Sequence, residues 1–143
     1  MAYRLLRMLT SQVPGLAAGW GAAQTALAFN PWEETMLYEL RIYECVPGRL
    51  PDLHKRFDTI TLKIWEKHGI KQAGFWTTVI GESNQTLYYM LAWDSLADRE
   101  KKWNAFQADP EWHDARAQTE ANGPIVANVK NFILGPTPYS SVQ

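Results

Sequence analysis

From Met36 onward the spacing of apolar residues changes period from one stretch to the next, and each change marks an element. "MLYELRIYECV" alternates, with Tyr38, Leu40 and Ile42 on one side and Glu39, Arg41 and Tyr43 on the other, as a strand requires. Pro47-Gly48 breaks it. Between residues 49 and 67, Leu50, Leu53, Phe57, Ile60 and Ile64 recur in steps of three and four, which draws one helical stripe. His68-Gly69 closes that helix, with glycine as the C-terminal cap and Lys63, Lys67 and His68 suited to the helix dipole. "QAGFWTTVIGES", rich in aromatic and β-branched residues, predicts a strand, and "GESNQ" a hairpin turn. Asp94 or Ser95 caps a helix over Leu96, Arg99, Trp103 and Phe106. Asp109-Pro110 restarts the helix through Trp112, Ala115 and Ala117, and "PIVANVKNFIL" is a final strand stopped by Gly135-Pro136.

"QTLYYMLAWDS" is the exception to clean alternation. Leu87, Tyr89, Leu91 and Trp93 line one face while Tyr88, Met90 and Ala92 line the other, so both faces are apolar. The order β-α-β-β-α-β is the split βαβ arrangement, an α+β, ferredoxin-like fold with both helical segments on one face of a four-stranded antiparallel sheet. The expectation is that Glu39, Arg41 and Tyr43 share the helix-free face with one of the two apolar rows. Leaving that row wet forfeits roughly 1.5–3 kcal/mol per large side chain. A second copy of the same sheet is the most economical cover, which predicts a homodimer through the helix-free face. The competing arrangement folds the N-terminal arm back over its own sheet.

Composition narrows the function. Of 143 residues nearly half are hydrophobic, with seven Trp and six Tyr, and the formal net charge is −1. The Lys and Arg residues form no stripe, so no nucleic-acid partner is expected. The lone Cys45 excludes an internal disulfide and a cysteine-based zinc cluster within one chain. The chain divides into an N-terminal extension (1–35), a domain (36–136) and a C-terminal tail (137–143). Residues 1–32 carry Arg4 and Arg7 but no acid, which fits a mitochondrial presequence or a retained packing arm, with secretion less favoured. A mitochondrial or cytoplasmic protein is expected. The arm offers a surface for a protein partner.

The segments "LYELRIYECVPGRLPDLHKRF" and "HGIKQAGFWTTVIGESNQTLYYMLAWDSLADREKKWNAFQADPEW" resemble the NIPSNAP family, and the resemblance runs from Met36 to about Leu134. It implies a ferredoxin-like domain that dimerises as an α+β barrel. It also implies association with mitochondria in eukaryotic members. Related dimeric barrels include cofactor-independent monooxygenases and small-molecule isomerases.

The candidate chemistry is sparse. No phosphate loop or nucleophile elbow occurs, and His54, His68 and His113 are too dispersed for a metal site; neither a cofactor nor a metal is expected. The informative set is Glu39, Arg41 and Tyr43 on one strand face. In a barrel interior, Arg41 would orient an anionic or carbonyl oxygen. Glu39, raised by an apolar cavity, would act as base. The alternative is an ion pair that fixes register. Tyr43, Trp76, Tyr89 and Trp103 are candidate pocket walls, although Arg99 and Trp103, four apart, suit a cation–π contact. His68 is a further candidate base, or simply a helix-terminal cation. Two functions follow: a non-catalytic binding or scaffold protein, or a cofactor-independent monooxygenase, isomerase or cyclase acting on a small hydrophobic substrate. A closed interior with Glu39 and Arg41 paired favours a scaffold, and an enclosed cavity of ~300 Å³ or more with unpaired polar groups aimed into it favours ligand chemistry, as an enzyme or a carrier.

Overall fold

The computed structural model describes residues 36–142. The expectations for the N-terminal extension, 1–35, therefore lie outside the described residues. The elements run β1 (Leu37–Cys45), α1 (Leu50–Arg56), a widened π-type turn (Phe57–Thr61), α2 (Leu62–Lys67), β2 (Lys71–Thr77), β3 (Thr86–Trp93), α3 (Leu96–Gln107), α4 (Pro110–Thr119) and β4 (Val126–Leu134). The four strands form one antiparallel sheet in the order β2-β3-β1-β4, as the split βαβ arrangement requires. The local signals explain the boundaries. Ser95 Oγ accepts from the Asp98 N–H and Asp109 Oδ1 from the Glu111 N–H, capping α3 and α4, while Gly69 takes φ +66° beyond α2. No helix among the described residues is long and apolar enough to cross a membrane.

The first helical segment departs from a regular period. The Leu62 N–H bonds the Phe57 carbonyl five residues back, so one residue is inserted into the turn. The buried stripe is broader than the apolar spacing alone draws: Leu53, Phe57 and Ile64 are joined by Thr61 and Trp65, while Ile60 is only partly buried. Thr61 Oγ donates to the Arg56 carbonyl and satisfies one acceptor loosened by the insertion. A second difference lies at the β2–β3 hairpin. Pairing stops at Thr77–Leu87, so Val79 and Ile80 belong to an exposed loop rather than to the strand.

The largest correction concerns which face the helices cover. Glu39, Arg41 and Tyr43 lie directly opposite Leu91, Tyr89 and Leu87, and in an antiparallel ladder such partners share a face. That face is the core, where Leu87, Tyr89, Leu91 and Trp93 pack with Leu53, Phe57, Ile64 and Trp65 from the helices. The helix-free face instead carries Tyr38, Leu40 and Ile42, opposite Ala92, Met90 and Tyr88 of β3 and Leu134, Phe132 and Lys130 of β4.

Candidate functional site

The charged row sits under the helices because its charges are matched there. Glu39 is completely buried. One carboxylate oxygen accepts from Arg41 at 2.8 Å and Arg99 at 3.0 Å; the other accepts from Arg99 at 3.0 Å and the Trp93 indole at 2.9 Å. Burial works to raise its pKa, but the bonds from Arg99 and Arg41 outweigh it and hold the carboxyl below the usual range. This reverses the expected raised value. A carboxylate whose lone pairs are engaged and whose proton affinity is reduced is poorly placed to act as base. Arg41 spans the row, donating from Nε to the Tyr89 hydroxyl at 2.7 Å and more weakly to the Tyr43 hydroxyl at 3.4 Å. Its guanidinium lies 4.5 Å from the centre of the Trp103 ring, and that of Arg99 lies 5.4 Å away on the same indole.

Beside this network, between the helices and the sheet, is a cavity of about 380 Å³. Arg41, Tyr43 and Trp103 line it, together with Phe57, Thr61 and Trp65 from the first helical segment, Phe106 from α3, and Trp112, Arg116 and Glu120 from α4 and its end. Thr61 and Trp65 face inward with Phe57, four and eight residues before them on the same helical face. On the sheet side four consecutive residues, Val126 to Val129, contribute to the wall, which a regular strand could not do. The irregularity is a bulge: Cys45 pairs with Val126 but Glu44 with Asn128, so Ala127 is the extra residue. Near the mouth Glu120 joins Arg56 at 2.9 Å and Arg116 at 3.2 Å. The Arg56 guanidinium also stands 5.5 Å from the Trp112 ring.

Of the residues singled out in the sequence, the structure brings Arg41, Tyr43 and Trp103 together at this cavity, with Glu39 and Tyr89 bonded to Arg41 behind its wall. Trp76 is not with them. It pairs with Tyr88, facing away from the core row, is 52% exposed and lines a separate hollow with His54 and Leu62. Its indole folds over Gly74, where a Cβ would come within 2.6 Å of the ring. His68 also lies elsewhere: its Nε2 meets Asp109 Oδ2 at 2.7 Å, and Lys67 joins the same oxygen at 2.8 Å. These contacts tie the end of α2 to the cap of α4. The cavity expected inside a barrel thus lies on the opposite side of the sheet. Arg56, Thr61, Trp65, Arg116 and Glu120 were missed; the four-residue spacings of Arg116 with Glu120 and of Phe57, Thr61 and Trp65 were signals. Among the described residues no group of three or more His, Cys, Asp and Glu side chains is arranged to hold a metal ion.

A model of the NIPSNAP family matches residues 38–141. An uncharacterized NIPSNAP-like domain protein from Burkholderia xenovorans is 24% identical, with a TM-score of 0.67 over 75% of this chain and 90% of that one. A NIPSNAP family protein from Agrobacterium tumefaciens is 24% identical, with a TM-score of 0.68 over 77% of this chain and 96% of its own. A protein from Mycobacterium tuberculosis is 13% identical, with a TM-score of 0.51 over 75% and 100% of the two chains. At these identities the likeness bears on the fold, that of a protomer of the dimeric α+β barrel class. None of the curated proteins matches the chain.

Proposed function

The chain belongs to the NIPSNAP family, and we propose that it is a non-catalytic binding protein whose cavity beneath the helices receives a small, mainly aromatic or hydrophobic molecule. The observation that carries this reading is the cavity itself. Its volume of about 380 Å³ falls within the range of small-molecule sites, and six aromatic side chains, Tyr43, Phe57, Trp65, Trp103, Phe106 and Trp112, stand in its walls. A cofactor-independent enzyme would need a group free to move a proton. Glu39, the candidate base, is engaged by Arg41, Arg99 and Trp93 instead. Native mass spectrometry of the freshly purified full chain tests the reading. A retained small molecule supports it. A chain that carries no added mass and whose tryptophan fluorescence is unmoved by a panel of aromatic compounds removes it.

The same protein is proposed to form a homodimer through the helix-free sheet face. Trp76, Phe132 and Leu134 on that face are 52%, 48% and 40% exposed, alongside half-buried Leu40, Ile42 and Met90. A second copy would remove this apolar surface from water. Sedimentation at micromolar concentration decides it, and a single monomeric species would rule the dimer out.

A further inference from the structure

We infer that the cavity selects anions: its guest is a planar aromatic or hydrophobic molecule carrying one acidic group, such as a carboxylate, met by Arg56 and Arg116. The inference rests on the binding function proposed above. Its first support is charge. Among the described residues Arg41, Arg56 and Arg116 line the cavity, against a single lining carboxylate, Glu120. The carboxylates among them in contact with these arginines are Glu120, which serves Arg56 and Arg116, and Glu39, which serves Arg41 and also Arg99 behind the wall. Four guanidinium groups therefore share two carboxylates, so this network, three of whose arginines line the cavity, carries two positive charges in excess. Arginine cannot shed its proton to relieve this. Tyr89 offers no compensating anion: burial holds its hydroxyl well above its ordinary value, and its bond to Arg41 does not offset that. A partly desolvated cationic surplus calls for a counter-charge.

The second support is unused hydrogen-bonding capacity. Among the described residues Nε of Arg56 and Nε1 of Trp65 are buried without an acceptor, and both side chains belong to the cavity wall. Buried donors in folded proteins are nearly always paired, so this wall is short of acceptors. The guanidinium groups of Arg41 and Arg56 lie 4.5 and 5.5 Å from the ring centres of Trp103 and Trp112; Arg41 already bonds Glu39, Tyr43 and Tyr89, whereas the Arg56 guanidinium bonds Glu120 alone among the described residues. The third support is placement. The Arg116 side chain is 59% exposed, Arg41 is 11% and Arg56 5%, so positive charge continues from the mouth to the floor. Such a gradient draws in and orients an anion.

Titration of the full chain with 2-naphthoate and with its neutral carboxamide, followed by quenching of tryptophan fluorescence at low salt, separates the possibilities. The expected result is a preference of about tenfold or more for the carboxylate, narrowed severalfold by Arg116→Gln and by added salt. Arg56→Gln should narrow it further; because Arg56 is buried, circular dichroism must first show a folded variant, and the exposed Arg116 decides if it is not. Equal affinity for the two probes overturns the anion selectivity while the binding function stands. A preference untouched by Arg116→Gln overturns the assignment to this rim. Failure of both probes to bind counts against the binding function itself, and the selectivity falls with it.

Discussion

The two faces of the sheet reverse the ordinary expectation for an amphipathic layer. The row holding Glu39 and Arg41 lies beneath the helices, while the row holding Tyr38, Leu40 and Ile42 faces away from them. Pairing accounts for the first. Four hydrogen bonds to Glu39 and the cation–π contacts of Arg41 and Arg99 with Trp103 convert three charges into a largely buried unit. In the outward row Leu40 and Ile42 are apolar and only partly covered. One face therefore has chemistry without solvent, and the other has grease awaiting a partner. A charged residue in a strand thus does not by itself mark the wet side.

The sharpest way to break this comparison is to remove the shared carboxylate. Glu39→Gln leaves Arg41 and Arg99 without their counter-ion and should lower the unfolding free energy by about 3–5 kcal/mol in urea. Glu44→Gln removes a carboxylate on the other face, where Asn128 and Lys130 are its partners, and should be nearly silent because that pair is exposed. Equal losses in the two variants would mean that the buried network carries no special weight.

The outward row comes next. Phe132→Glu puts a charge opposite Leu40 in the middle of the proposed dimer surface. The fold should survive, since Phe132 is about half exposed, while dimer affinity should fall by at least about 30-fold, or about 2 kcal/mol, by sedimentation equilibrium. An unchanged dimer would show that the copies meet elsewhere. A smaller effect tests the inserted turn that feeds the cavity: Thr61→Val keeps the shape but deletes the bond to the Arg56 carbonyl, at roughly 1 kcal/mol by thermal or urea unfolding. No loss would mean that the turn holds without it.

How much of this was legible depends on the kind of signal. Breakers and caps such as Pro47-Gly48, Gly69, Ser95 and Asp109 act locally, so element order and topology could be read directly. Alternation in "YELRIY" says which residues share a face, but the face that the helices choose is settled by long-range partners. Arg99 and Trp93 lie 60 and 54 residues from Glu39 and supply the bonds that make its burial tolerable. The helical stripe held at Leu53, Phe57 and Ile64, with Leu50 and Ile60 packed against the core, and it is wider than read, because Thr61 and Trp65, four and eight residues after Phe57, are buried with it. The cavity wall at Ala127 depends on a bulge that no composition announces. The pairing of Arg99 with Trp103 was readable because spacing of four is a property of the helix itself.

Acid titration sharpens the contrast between the faces with the smallest effect. Because the folded value of Glu39 lies below the 4.5 of the free group, the unfolded chain binds its proton first as pH falls. The contribution of Glu39 is therefore complete above about 4.5 and is lost as pH drops through the lower, folded value. Stability curves in urea should show Glu39→Gln losing less than the parent over that acid range, though not becoming flat, since Asp109 and Glu120 are lowered as well. Glu44 is also lowered, through its bonds to Lys130 and Asn128, but in solvent. Salt separates the two, because screening reaches exposed charges far more than buried ones. At high salt the acid-range difference between parent and Glu44→Gln should vanish while that for Glu39→Gln persists. If both vanish together, water reaches Glu39, and the charged row is no more sheltered than the greasy one.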